Sequence, residues 1–400
     1  MSKSKKLPLY TRKELPKSTP TKSAAAPGAG PPPGTRSWLL YRLTFPDGLL
    51  LSKGRPDSYE SPEALLRADT LKAALLACAL PLYPELEPEE RSRKWLGSFR
   101  LTSGFPFCAY GGDDEKKIPP HYEYFFPKPL TKLFELRDVL REDAGKPLKK
   151  LRWLGQSYFE KLLQADDQTT FERDHLLDGG ALISDKIKAT DKPKDHPAQV
   201  SALHQQPHVF VPRGGGLDAV PYHTESLHFG PGAGLWFAVK YDDPAVQVQV
   251  EAALRLLGDS GLGTDKNLGR GHFDWKSDEL RLTVPDAATA THRLNLAPWC
   301  PDIATQELTD ATLADASYAL SKRGGYLAAP AQEELVRLRK KSIYMFDEGS
   351  VFPATGPEPT GALHDLAPAA AEGFHLDHPV WRDGRPLWLP IVPLAPDKTH

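Results

Sequence analysis

Four hundred residues, 40% of them hydrophobic, suffice for two domains with cores of their own. No apolar run approaches the ~20 residues of a membrane helix, and the basic N-terminus has no apolar signal core. Cys78, Cys108 and Cys300 follow no metal-ligand spacing, so we expect a reduced, cytoplasmic setting with no membrane, metal or cofactor. The net charge of −2 hides an asymmetry: residues 1–36 hold eight Lys/Arg and one acidic residue, leaving 42 basic against 51 acidic elsewhere. A remainder near −9 is unlike a non-specific nucleic-acid binder, so any polyanion must be held locally.

In chain order, residues 1–36 carry seven prolines and few aromatic or branched residues, the composition of a disordered basic arm. SWLLYRLTF (37–45) alternates as a strand. ADTLKAALLACAL (68–80) predicts a buried helix with Asp69 as its cap, or a longer helix from Ser61 that runs on across Arg67. Short apolar pieces follow at 95–107 and 122–130, and LKKLRWLGQSYFEKLL (148–163) predicts a helix. Residues 164–206 are polar and aperiodic, a long excursion from the core. PHVFVPRGGG (207–216) and GLWFAVKY (234–241) read as strands, 244–259 as an amphipathic helix, and 272–284 as a strand with a turn. Near the C-terminus, a Pro/Ala linker (353–372) precedes HPVWRDGRPLWLPIV (378–392), which predicts a hairpin turning at Asp383–Gly384. The elements are interleaved without regular βαβ spacing, which predicts an α+β fold of antiparallel sheets, two sandwiches in series.

GDSGLGTDKNLGRGHF (258–273) has the strongest local signal. Gly258 and Gly263 have Walker A spacing, but Thr264–Asp265 follow where that motif needs Lys-Ser/Thr. The dinucleotide pattern also fails, and the loop follows a helix instead of opening one, so no helix N-terminus faces a phosphate there. Two readings remain open: a surface loop using glycines for turns, or a backbone-lined clasp for an extended phosphodiester, aided by Lys266 and Arg270.

The order of helix, glycine loop and strand resembles the RAMP superfamily of CRISPR RNA-binding proteins. The series ADTLKAAL, LTSGFPF, YFFPKPL, the LKKLRWLGQSYFEKLL helix, HVFVPR, GLWFAV, LRLLGDSGLG, MFDEGSVF and HPVWRDGRPLWLPI is similar in order to the Cas five-like subunit four of the type III-A (Csm) effector complex. That resemblance covers residues 37–392. It implies two ferredoxin-like (RRM-like) domains: 37–285, with a thumb-like insertion at about 164–220 and the glycine-rich loop 258–271, and 286–400, with the flexible linker 353–372. It also implies a non-catalytic ribonucleoprotein subunit of antiviral defense. Its partners would be the 5′ tag of the crRNA, the large polymerase/nuclease subunit and the backbone RAMP subunit.

On that resemblance the RNA-binding candidates in the loop are Gly261, Gly263, Lys266, Asn267, Gly269, Arg270 and Gly271. Thr70 at a helix start, Ser103 and Phe105 in LTSGFPF, Arg213, and Lys322 with Arg323 in SKRGGY complete the set. Each has a plainer reading. Phe105 could be a core aromatic, Arg213 a surface ion pair, and Arg337, Arg339, Lys340 and Lys341 a solvated helix face. Two rival functions are an RNA-independent scaffold and a guide-RNA-processing endoribonuclease. The latter would use His272 as base or the loop carboxylates Asp113–Glu115 and Asp166–Asp167 with a metal.

Overall fold

The computed structural model describes residues 34–51, 65–112, 116–131, 150–165, 173–187, 199–211, 218–264, 266–327, 338–368, 376 and 378–393. The expected arm lies outside these residues except for its last three. Thr35 and Arg36 already belong to the first strand, because a run that pairs in register outweighs local composition.

A nine-stranded sheet organises the chain. Its strands are β1 (Thr35–Thr44), β2 (Phe99–Leu101), β3 (Phe105–Tyr110), β4 (His121–Pro127), β5 (Trp153–Gly155), β6 (Leu176–Leu177), β7 (Leu182–Ile183), β10 (Ala233–Tyr241) and β11 (Asp274–Thr283). Between β7 and β10, strands β8 (Ser201–Phe210) and β9 (Val220–Phe229) form a separate two-stranded hairpin with ten paired positions. The sheet order is β11-β1-β10-β3-β4-β5-β7-β6, with β2 also on β10, and every pairing is antiparallel except β5 with β7.

Strand alternation splits the core in two. Tyr41, Leu43, Leu235, Phe237 and Val239 face helices α1 (Ala68–Leu82) and α2 (Glu89–Gly97) and a later helix at 247–260. Leu40, Trp236, Ala238, Leu280 and Leu282 face the opposite way, onto helix α3 (Gln156–Leu163). Leu294, Val351, Leu389 and Ile391 from the C-terminal region join this second face. Strand β10 is therefore buried on both sides, which explains its unbroken apolar run GLWFAV.

The helix at Gln247–Ser260, α4, leads into the glycine loop, and α5 (Asp310–Ala314) is a short turn of helix. The C-terminal region adds a three-stranded sheet of β12 (His292–Asn295), β15 (Val351–Pro353) and β18 (Trp388–Ile391). Two ribbons complete it: β13 (Leu320–Arg323) with β14 (Ile343–Phe346), and β16 (Leu363–Asp365) with β17 (Trp381–Asp383). The described structure is thus mixed α and β around one large sheet, where two sandwiches were expected.

Several local expectations change. Where one helix was expected over 148–163, the described residues 150–163 hold strand β5 and helix α3, because Trp153–Gly155 pair with Phe125–Pro127. Strand β11 runs ten residues without a turn, since β1 pairs along its full length. The strands around Asp383–Gly384 do not form a hairpin: β17 pairs β16, and β18 pairs β12. Gly384 instead presses on Cys300, whose amide donates to the Gly384 carbonyl at 3.0 Å. The 353–372 linker contains β16, and Glu307 anchors the segment through the amides of Thr360 and Gly361. Residues 338–342 are extended and not helical, with Arg339 bridged to Tyr326. No helix among the described residues is long and apolar enough to cross a membrane.

Helix α1 does not merge with an earlier helix across Arg67. Arg67 is its N-cap in an extended conformation, and Leu66 bridges to Gly104 instead. Asp69 does not cap either. Its carboxylate is buried and accepts from Arg323 and Arg382, both in the C-terminal region. One turn later, buried Lys72 pairs with Asp383 and donates to the Phe99 carbonyl at 2.6 Å. Arg67 reaches Asp347 at 2.6 Å and Glu348 at 3.0 Å, and Ser103 Oγ donates to Glu348. The start of α1 is thereby tied to three separate segments of the C-terminal region.

Candidate nucleic-acid interface

The glycine loop is built between helix α4 and strand β11. Gly261, at φ +81°, turns the chain out of the helix, and its amide still donates to Leu257 at 2.8 Å. Three further amides hold the loop's feet. Leu262 donates to Gly271, Thr264 to Leu50 and Gly271 to Gly48, at 2.8–3.0 Å. A side chain at Gly263 would overlap the Leu50 carbonyl, and one at Gly271 would overlap Leu262. These two glycines exist because backbone passes directly against backbone.

The tip is a single 3-10 turn, Lys266–Leu268, closed by the Gly269 amide on the Lys266 carbonyl at 3.0 Å. Lys266 and Asn267 are exposed, and Leu268 is 71% exposed. Gly269 follows at φ +86° with open space where a side chain would lie. The seven loop candidates therefore divide. Gly261 and Gly271 are buried, with amides donating inside the chain, so they shape the loop and cannot offer those amides to RNA. Lys266, Asn267 and Gly269 form the accessible rim.

Arg270 occupies a different position from the rest. It is only 9% exposed and turns toward the β8–β9 hairpin, where Nη2 donates to Gln206 Oε1. Among the described residues, its buried Nη1 has no hydrogen-bond partner. His228 on β9 lies beside it, its pKa held below the ordinary histidine value by burial and then by the charges of His204 and Arg270. The His204 and His228 rings are 5.4 Å apart, and Ser226 Oγ lies 3.0 Å from His228 Nε2. Loop and hairpin thus meet around a guanidinium with a spare donor, a natural seat for an anionic oxygen.

Sequence reading missed Gln206, His204 and His228. Only the hairpin register, with His204 opposite Ser226, carries them to Arg270. Leu268 was also missed; an apolar residue inside a glycine-rich polar loop was its one available signal.

The other candidates lie elsewhere. Phe105 is fully buried, 5.5 Å from Trp236 and 5.7 Å from Trp153 by ring centroids, so it packs the core and is not free to stack on a base. Ser103 is buried too, accepting from the Ala68 amide at 2.9 Å while donating to Glu348. It thus supplies the helix-start hydrogen bond assigned above to Asp69. Thr70 Oγ1 accepts from Arg323 Nη2 at 3.0 Å, and Arg323 also holds Asp69, which places both in the seam beneath α1. Lys322 is exposed on β13. Arg213, Arg337, Asp113–Glu115 and Asp166–Asp167 lie outside the described residues. Among the described residues, no three His, Cys, Asp or Glu side chains gather where they could hold a metal ion.

Residues 289–391 match the family described as the CRISPR Csm4 C-terminal domain. The chain is 29% identical over 335 residues to the CRISPR system Cms protein Csm4 of Mycobacterium tuberculosis (strain ATCC 25618 / H37Rv), covering 83% of this chain and 92% of that protein. It is 22% identical over 293 residues to the protein of the same name from Thermococcus onnurineus (strain NA1), covering 71% and 83%. Its fold is similar to a chain of a Csm3-Csm4 subcomplex from the type III-A CRISPR-Cas interference complex, with TM-score 0.55 and 16% identity over 90% of this chain and 100% of that one. It is also similar to a chain of a Csm1-Csm4 cassette in complex with cA4, with TM-score 0.54, 19% identity and the same coverage. Along most of its length, in sequence and in fold, the chain resembles the Csm4 subunit of type III-A CRISPR complexes.

Proposed function

We propose that this chain is a non-catalytic crRNA-binding subunit of a type III-A Csm interference complex, built from two ferredoxin-like domains. It holds the repeat-derived 5′ tag of the guide in extended form and so sets where the guide register begins. The same end of the complex docks the large polymerase/nuclease subunit against the backbone RAMP subunit. Solved relatives of this fold described in complexes with Csm3 and with Csm1 support those two neighbours.

The observation that carries the RNA reading is the meeting of loop and hairpin at Arg270. A buried guanidinium nitrogen lacks a partner among the described residues there, and the exposed Lys266–Asn267 tip stands beside it. A phosphate oxygen reaching Arg270 as the loop tip moves aside would complete it and, in so buried a site, be screened little. Sequence preference would come from the bases and not from these contacts.

Affinity purification of the tagged chain from cells carrying the complete complex tests this reading. Guide RNA should co-purify with a defined 5′ end, and Lys266→Ala with Arg270→Ala should strip or shift it. Unchanged loading and register would remove the loop from the interface. For the absence of catalysis, repeat RNA incubated with the chain should stay intact. A metal-independent cut that disappears in His272→Ala would overturn that part.

A further inference from the structure

A second surface, on the C-terminal region, has the chemistry of a single-stranded RNA platform. Strands β13 and β14 form a two-stranded ribbon, bridged to Trp299 at Phe346, in which Lys322 pairs with Tyr344 and Ser321 with Met345. Directly paired residues share a face, so the ribbon has an inner and an outer side. The inner side holds buried Met345, Ser321 donating to Asp347 at 2.5 Å, and Arg323 on Asp69. The outer side carries exposed Lys322 opposite Tyr344, 64% exposed, and beside them Leu320, 50% exposed, opposite Phe346, which is buried against Trp299.

Charge separates the possible occupants. The described residues 318–327 and 338–346 hold five cations, Lys322, Arg323, Arg339, Lys340 and Lys341, and no carboxylate, in a chain whose net charge is −2. Among the described residues, Asp69 and Asp347 are engaged on the ribbon's inner side by Arg323, Arg382, Arg67 and Ser321. Arg339 is already organised: its guanidinium lies 5.3 Å from the Tyr326 ring centroid and donates to the Tyr326 hydroxyl at 3.2 Å. Lys340 is pushed down to about 8, by burial first and then by Arg382 and Arg323, with Asp69 opposing. A corner whose cations outnumber its carboxylates is complementary to a polyanion, and an exposed ring beside a lysine suits a base next to its phosphate.

We infer that the β13–β14 ribbon is a second anchor for single-stranded RNA, with a base stacked on Tyr344 and the flanking phosphates held by Lys322 and Lys341. The inference rests on the RNA reading above but uses none of the loop's residues. The two anchors share a scaffold. Arg323 reaches Thr70 near the start of α1, while the Lys266 charge acts on Cys78 farther along it, about 12 Å away at 1.5 Å per residue. The exposed positions between them, Ala73 and Ala77, are small and uncharged.

The test is fluorescence anisotropy of a labelled single-stranded oligoribonucleotide of mixed sequence with the full chain, at two salt concentrations. Tyr344→Ala should weaken binding roughly 5- to 100-fold, the effect of one lost stacking contact, while Tyr344→Phe keeps wild-type affinity within about twofold. Lys322→Ala with Lys341→Ala should flatten the salt dependence. Exposed side chains are removed in each case, so the far-ultraviolet circular dichroism should not change. Wild-type affinity and salt dependence in the ribbon variants would overturn the inference, as would failure of the wild-type chain to bind the probe. Ribbon variants that bind RNA normally but lose a protein subunit from the purified complex would also overturn it, making the ribbon a protein interface. If the ribbon variants weaken binding and Lys266→Ala does not, the ribbon stands and the loop reading fails.

Discussion

Arg323 and Asp69, 254 residues apart, form a two-point ion pair, with Nε on Oδ2 at 3.0 Å and Nη2 on Oδ1 at 3.1 Å. Arg382 adds a third contact to the same carboxylate at 2.7 Å. Burial alone would raise the Asp69 pKa, but Arg382, Arg323 and Arg67 hold it below the ordinary value. Asp69→Asn leaves two guanidinium groups facing a neutral amide, and breaking a buried pair from one side costs about 3–5 kcal/mol. Urea denaturation should show that loss near neutral pH. Because the folded pKa is depressed, the contribution is present above pH 3.8 and disappears as the pH falls through the folded value. The difference between wild type and Asp69→Asn should therefore shrink in strong acid.

Glu123 predicts the opposite trend with pH. Burial raises its pKa to about 7, with Asp185 adding to this against hydrogen bonds from Ser184 and the Gln156 amide. A carboxyl whose folded pKa lies above its unfolded value of 4.5 is most favourable below pH 4.5, and that favour is lost as the pH rises through about 7. Glu123→Gln, which keeps the acceptor for Gln156, should gain about 3 kcal/mol relative to wild type at pH 9 and nothing at pH 4. Thermal melts across that range check the sign.

The glycines of the loop should respond unequally. A methyl at Gly271 meets Leu262 backbone at φ +74°, whereas one at Gly269, φ +86°, meets nothing within 4 Å. Gly269→Ala carries only the left-handed backbone cost of about 1 kcal/mol, while Gly271→Ala adds a collision that the pinned feet cannot relieve. Melting temperatures should rank wild type, Gly269→Ala, Gly271→Ala in falling order.

Phe105 should behave as core. Phe105→Ala removes a fully buried ring packed on Trp236 and should cost about 3–5 kcal/mol of stability. Below its melting temperature the variant should bind an oligoribonucleotide with wild-type affinity. A stable variant with weakened binding would return Phe105 to the interface.

Long periodic elements were legible in the sequence, and contacts between distant segments were not. Helix α1, helix α4 and strand β10 declare themselves by their own apolar patterns. Asp69 illustrates the failure. At a helix start an aspartate reads as a cap from local sequence alone, and only the fold brings Arg323 and Arg382 to it. The Asp383–Gly384 turn fails for the same reason: β16 and β12 compete for the flanking strands and win by tertiary pairing. In the loop, glycine content marked the right segment. It could not show that Gly261 and Gly271 spend their amides internally, or that Arg270 turns to a hairpin sixty residues upstream.

The central claim is that the loop tip and Arg270 hold the guide RNA, and Gly269 offers the most direct measurement. Its open surroundings accept Asn or Asp at similar backbone strain, since both residues tolerate positive φ. Purified complexes containing Gly269→Asn or Gly269→Asp differ there by one negative charge. Guide-RNA occupancy per complex, read with its 5′ end, should match wild type for Gly269→Asn and fall several-fold for Gly269→Asp, the gap between the two narrowing as salt screens the added carboxylate. Equal occupancy and an unchanged 5′ end in both variants would contradict the account.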